Sequence, residues 1–492
     1  MLFNSFHFAV YFAVVTALYF ALGQRWRWSM LLVASCYFYM VFRPVYILIL
    51  AFTILVDYVA GLRIEAAEGI ARKRWLVASI VANVAVLAVF KYWNFLNNSL
   101  TEFLGLGQLA NPIPGLDLLL PIGLSFHTFQ SLSYTIEVYR GRQAAERNPG
   151  VFALYVMFYP QLVAGPIERP QNLLHQFDER HEFDYARIVS GLQLMAWGLL
   201  KKIVVADRLA SLVNQVYDAP QSYTGLPLLI GTMAFAFQIY CDFSGYSDIA
   251  IGAAQVMGFR LMRNFDRPYF SRSIGEFWRR WHISLSTWFR DYLYIPLGGN
   301  RTGRPRWLVN LFITFLVSGL WHGARWTFVV WGALHGAYLI IALLTAERRA
   351  QIRRTLGVEA HPRVLAVWQT CATFALVLVA WIFFRASSLR DAWYVLTHLA
   401  SGLPTQTVAI LAGDAAARAH LLFLDEPPTR LILGVCAVFA LLAIERVQRY
   451  GSIRARISSA PMPVRWATYS TAVLTIMILG VFGSAKFIYF QF

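Results

Sequence analysis

Apolar residues in this chain come in long blocks, not in the alternation of a strand or the one-sided stripe of a soluble helix. The first five blocks are Phe8–Leu22, Met30–Phe42, Tyr46–Leu62, Leu76–Phe90 and Leu116–Val138. Arg43-Pro44 parts the second from the third, and Pro112 and Pro114 mark a turn-forming segment, Asn94–Gly115, before the fifth. A helix of about 20 apolar residues crosses a bilayer, so these blocks predict transmembrane helices.

Later blocks are interrupted. Val151–Ile167 is split by Pro160 and by Gly165-Pro166 and predicts two pieces. Ile188–Val205 contains Lys201 and Lys202, which predicts a partly interfacial helix. Leu228–Tyr240 runs on through a polar stretch to Phe259 and is followed by a basic segment, Arg260–Arg280. Trp307–Leu320 is nearly long enough to span, and Trp326–Leu344, Val364–Phe384, Leu431–Ile444 and Thr468–Phe482 read as further spans. Ser401–Arg430 reads as a loop with a short helix. The pattern predicts an all-α multi-pass membrane protein with about eleven to thirteen membrane segments, some of them broken or re-entrant. The whole chain, 1–492, is one integral membrane domain in this reading, with N-terminal helices in 1–115, a catalytic core in 116–346 and C-terminal helices in 347–492.

Composition agrees. Only 14% of the 492 residues are charged and 58% are hydrophobic, where a soluble domain carries about 25% charged residues. The net charge is +17. A nucleic-acid binder clusters its basic residues on one face or tail; here they lie in short blocks between apolar runs, so no nucleic-acid partner is expected. With the N-terminus outside, Arg25, Arg27, Arg63, Arg72, Lys73, Arg74, Arg140, Arg142 and Arg147 fall inside, and only Arg43 and Lys91 outside. The positive-inside rule favours that orientation. Met1–His7 lack the basic residues of a cleavable signal, so the first block is expected to stay as a helix. Cys36, Cys241, Cys371 and Cys436 have unrelated spacings and predict neither a disulfide framework nor a metal site.

Four polar islands interrupt the apolar chain: Pro121–Gln130, Pro160–Arg169, Gln238–Asp248 and Trp278–Gly323. A charged group at membrane depth costs about 2.5–3.5 kcal/mol on insertion scales, so such residues face a protein interior or a wet cavity. His127 reads as a satisfied buried histidine, and Asp242 and Asp248 as structural partners of the arginines after Phe259. Glu276 and Arg280 have the spacing of a helical ion pair. Arg279 and Arg290 suit either the phosphates of a nucleotide-bearing substrate or a topological role.

His282 and His322 stand apart. Both lie among tryptophans, forty residues from each other, with no local ligand pair of the kind zinc uses. An imidazole here suits proton transfer from a hydroxyl that attacks a carbonyl. No Gly-x-Ser-x-Gly elbow supplies a serine nucleophile, and no phosphate-cradling Gly-x-x-x-x-Gly-Lys is present.

Three segments carry a resemblance: Tyr240–Asp248, Glu276–Tyr294 and Gly319-Leu320-Trp321-His322-Gly323. Together with Pro121-Ile122-Gly123 and Ala164-Gly165-Pro166 they resemble the membrane-bound O-acyltransferases, above all the bacterial branch with the alginate O-acetyltransferase membrane subunit. The resemblance covers Met1–Leu344, while the C-terminal third fits mainly by hydropathy. It implies a ring of tilted helices around a funnel. It implies transfer of an acyl group from a cytoplasmic donor, acetyl-CoA, to an acceptor on the other face, with no bound cofactor. The family's catalytic histidine falls on His322 and a second, supporting one on His282. Trp278, Arg279, Arg280 and Arg290 are the candidate donor-binding residues. The implied setting is the bacterial inner membrane, with a polysaccharide acceptor or a periplasmic SGNH-type acetyltransferase as partner, as in exopolysaccharide O-acetylation. Two alternatives stay open here: D-alanyl transfer to teichoic acid, and a polysaccharide or ion transporter, against which the absence of an internal repeat counts.

Overall fold

Helix follows helix along the whole chain. The computed structural model describes residues 1–107, 109–117, 120–163, 165–483 and 487–488, and among these all regular structure is helical. Leu118 and Leu119 of the fifth apolar block, and Ala164 of the second polar island, lie outside the described residues.

Seven helices among the described residues are long and apolar enough to cross a membrane: Pro44–Ala66, Gly69–Leu106, Tyr185–Asp218, Leu226–Met257, Trp326–Leu344, Pro362–Arg385 and Pro428–Gln448. Other apolar blocks form shorter helices, among them Phe6–Ala21, Gln24–Met40, Leu124–Tyr139, Arg304–His322 and Met462–Leu479. Large apolar side chains on these helices stand exposed, including Phe6, Val33, Leu55, Phe439 and Ile478. So broad an apolar exterior is stable only against lipid. The protein is a multi-pass membrane protein.

Two compact units divide the chain. The first comprises residues 1–196 and 246–263. Its helices Pro44–Ala66, Gly69–Leu87 and Leu124–Tyr139 share a buried polar knot. Ser79 donates to Asp57 at 2.6 Å, Asn83 donates to both Asp57 oxygens at 2.9 Å, and Ser79 also meets Thr135 at 3.1 Å. A carboxyl group inside a span is tolerated when its oxygens are met in this way. The segment Asn94–Gly115 begins as helix: the run through a π-turn at Ala88–Tyr92 carries on as Trp93–Leu106, and the chain is non-helical around Pro112 and Pro114. Val151–Ile167 does split, into Pro149–Met157 and Tyr159–Leu162. His127 is buried as expected, but neither ring nitrogen has a hydrogen-bond partner among the described residues.

The second unit comprises residues 197–245 and 264–492. Lys201 and Lys202 are buried, not interfacial. Lys202 Nζ lies 2.6 Å from Asp207 and 2.7 Å from Asp242, and Lys201 donates to Ser244 at 2.9 Å. Opposite charges within the unit therefore remove the reason for Lys202 to seek the interface, and Asp242 pairs with Lys202, not with an arginine beyond Phe259. Removing the cation strands two buried carboxyl groups. Lys202→Met is expected to destabilise the fold by about 3–5 kcal/mol, read as a lower thermal midpoint in detergent, whereas an exposed replacement such as Arg348→Met is expected to leave the midpoint in place.

Candidate active site

The site is built on two helices of the second unit, Arg304–His322 and Trp326–Leu344. They are joined by a short turn and meet at facing glycines. A Cβ added to Gly319 or Gly332 would lie 3.1 Å from the other's Cα and would collide with the carbonyl oxygen of Phe328 or Phe315. Small residues let membrane helices approach this closely. The approach sets His322, the last residue of its helix, beside Trp331 of the next one. Gly332→Val is expected to part the helices and reduce acyl transfer at least about tenfold while the protein still inserts, measured as specific activity against membrane-fraction abundance.

The His322 ring is buried among aromatic rings. Its centre lies 4.9 Å from that of Trp321, 4.9 Å from Trp331 and 5.3 Å from Phe384, all edge-on. The Trp331 indole is fully buried, and its N–H has no acceptor among the described residues. An unmet donor in a buried site has a cost in stability.

His282 occupies the turn between helices Ile274–Arg280 and Ile283–Phe289. Its backbone is left-handed, φ 43°, a conformation L-residues seldom adopt. Asn264 holds it there. The Asn264 backbone oxygen accepts from Ile283 at 2.8 Å; its side-chain oxygen accepts from Ser284 Oγ at 2.9 Å and contacts His282 Nδ1 at 3.1 Å. An amide oxygen is an acceptor, so the His282 proton sits on Nδ1 and Nε2 is left as an acceptor. Burial holds this imidazole down to about 3, so it is neutral near pH 7. Its ring centre is 6.1 Å from that of Trp321 and 4.5 Å from that of Phe243. Trp321 therefore touches both candidate histidines.

A cavity of about 460 Å³ is lined by helices Ile274–Arg280, Ile283–Phe289 and Arg304–His322; His282, Trp321, His322 and Trp331 are not among its lining residues. Trp278, Arg279 and Arg290 line it, with Thr314 and Ser318 among the residues of the opposite wall. Thr314 and Ser318 line it from helix Arg304–His322, whose last residue, His322, follows four positions beyond Ser318 and does not itself line the cavity. Arg279 and Arg290 are exposed at their ends, with Arg290 2.7 Å from Asp291. Arg280 is the exception among the expected donor-binding residues. It is turned to Glu276 at 2.6 Å, the helical pair read from the sequence, and does not line the cavity. Helical geometry explains this: Arg279 and Arg280 are adjacent and point about 100° apart.

Several residues of the site carry no motif. Asn264 lies far from His282 in sequence, and Phe384 and Trp331 look like ordinary apolar-helix residues. The spacing Thr314, Ser318, His322 is the one signal that was present in the sequence and points to a polar stripe.

Comparison with known proteins gives this geometry its family. A 45% identity over 398 residues links the chain to the probable alginate O-acetylase of Pseudomonas aeruginosa, covering 80% of this chain and 74% of that one. The chain belongs to the membrane-bound O-acyltransferase family. The family model itself matches residues 148–384, a range that includes His282, His322 and every residue lining the cavity. The peptidoglycan O-acetyltransferase of Helicobacter pylori is 35% identical over 413 residues, 78% of this chain and 76% of that one. A teichoic acid D-alanyltransferase of Streptococcus thermophilus is 28% identical over 298 residues, 56% of this chain and 70% of that one. As a membrane-bound O-acyltransferase the protein is an enzyme, and the fold class and family expected from the sequence both hold.

Proposed function

We propose that this acyltransferase takes an acetyl group from acetyl-CoA on the cytoplasmic side of a bacterial inner membrane and delivers it for O-acetylation of an extracytoplasmic polysaccharide. Delivery is direct or by way of a periplasmic SGNH-type acetyltransferase. The observation that carries this reading is a cavity walled by Arg279 and Arg290 and by Thr314 and Ser318, on the helix that ends one turn later at His322. A guanidinium is suited to the phosphates of a nucleotide thioester, and the apolar lining, Leu285, Phe289, Leu311 and Phe315 among it, suits a pantetheine-like arm. The names of the relatives support an acetyl group and a cell-envelope glycan, and the sequence charge pattern supports a periplasmic N-terminus. Residues 116–346 carry the chemistry in this reading, flanked by the helices of 1–115 and 347–492.

The reaction is a hydroxyl attack on a thioester. His322 accepts the acceptor's proton as its oxygen bonds to the carbonyl carbon. The Trp331 N–H donates to the oxyanion that forms. The carbon–sulfur bond then breaks, the proton returns to the thiolate, and free CoA leaves. His282, neutral and held by Asn264, steadies Trp321 against the His322 ring.

Purified protein given acetyl-CoA and a soluble glycan is expected to release free thiol and form acetyl ester in equal amounts, by itself if delivery is direct and only with the periplasmic SGNH-type acetyltransferase added if it is relayed. The D-alanyl reading predicts instead that acetyl-CoA is inert and that a D-alanyl thioester on an acidic carrier protein is consumed. A transporter would consume neither.

A further inference from the structure

Helix Trp326–Leu344 carries a third histidine that no motif singles out. His335 is fully buried. The Trp278 indole N–H donates to its Nδ1 at 3.2 Å. An indole nitrogen can only donate, so Nδ1 is the bare acceptor and the neutral ring carries its proton on Nε2. Around it the ring meets Trp278 edge-on at 5.0 Å, Trp331 at 4.9 Å and lies parallel to Phe277 at 6.2 Å.

Packing alone does not call for an imidazole here. A leucine or phenylalanine fills an aromatic pocket without a polar atom to satisfy, and the His335 Nε2 has no partner among the described residues. What the imidazole adds is the acceptor for Trp278. That tryptophan needs one. It sits on a helix of seven residues, Ile274–Arg280, too short to hold a side chain by its own rigidity. It also forms part of the cavity wall. His335, by contrast, stands on a long helix locked to Arg304–His322 through Gly319 and Gly332.

We propose that His335 is a positioning residue: it clamps the Trp278 indole in place as the wall of the thioester-donor cavity, and through Trp331 it braces the ring that packs on His322. This rests on the reading of that cavity as the donor site. Donor binding is the property that should respond, since Trp278 touches the cavity and His335 does not line it.

The test uses purified full-length enzyme and acetyl-CoA as the probe, with steady-state kinetics and direct binding by calorimetry. His335→Leu removes the acceptor and Trp278→Phe removes the donor. Each is expected to raise the acetyl-CoA KM about fivefold, the worth of one buried hydrogen bond, with a much smaller change in kcat. His335→Asn, which keeps an oxygen near the place of Nδ1, is expected to restore KM to within about twofold of the parent. Because both single variants break the same bond, the double variant is expected to be no worse than either alone. A purely structural His335 would lower thermal stability and kcat alike in the Leu and Asn variants, with KM unmoved and the two effects additive, and that result overturns the proposal. If acetyl-CoA binds the parent but the KM of His335→Leu is unchanged, the donor reading stands and this inference alone fails. If the parent does not bind acetyl-CoA, the donor reading fails and takes this role with it.

Discussion

Replacing His322 with alanine is expected to cut acetyl transfer by about 10²–10⁴-fold, the usual worth of a positioned general base. The ring is buried, caged by Trp321, Trp331 and Phe384, and stands one helical turn beyond Ser318, a residue that lines the cavity. Alanine leaves a void among those rings, so a fall in activity alone would not separate chemistry from packing. His322→Gln supplies the control: it nearly fills the volume and keeps a polar atom but cannot take up a proton. Both variants are expected to lose transfer while binding acetyl-CoA with little change in affinity, measured side by side with insertion and thermal midpoint. A glutamine variant that retained the parent rate would assign the proton to another group.

The second large effect is expected at Trp331. Its indole N–H is buried with no acceptor among the described residues, next to the His322 ring. A donor held ready in a dry site is worth most when negative charge appears on an oxygen beside it. Trp331→Phe keeps an aromatic ring against His322, Phe384 and His335 and deletes the N–H. The expected loss is about 10²–10³-fold in kcat, as for other single oxyanion donors, with the acetyl-CoA KM nearly constant. A loss confined to KM would make Trp331 a binding wall and leave the oxyanion to a backbone amide.

Much of this architecture was legible in the chain. Block-like hydropathy is a strong signal because a bilayer demands it, and Val151–Ile167 split as expected, with the break at Phe158 and Pro160 in the first turn of the second piece. The Glu276–Arg280 pair followed from helical spacing. Trp278, Arg279 and Arg290 were brought to one cavity, because the short helices Ile274–Arg280 and Ile283–Phe289 fold around the turn at His282. What the sequence did not reveal depends on long-range partners. Lys201 and Lys202 looked interfacial because Asp242, which neutralises Lys202, lies on another helix. Asp57 lay unremarked inside an apolar block, since its partners Ser79 and Asn83 come from the next helix. Arg280 does not join Trp278, Arg279 and Arg290 at the cavity, because neighbouring positions on a helix face different ways. His335 has no flanking motif, and only the arrival of Trp278 from a distant segment gives it a partner.

In the proposed reaction one buried imidazole lets a hydroxyl on one face of the bilayer take an acyl group supplied from the other. Proteoliposomes test it directly, with acetyl-CoA sealed on one side and a membrane-impermeant glycan on the other. The predicted result is acetyl ester on the glycan and free CoA in the opposite compartment, both lost in His322→Gln. Ester that forms only when donor and acceptor share a compartment, or that still forms across the bilayer in His322→Gln, would contradict the account.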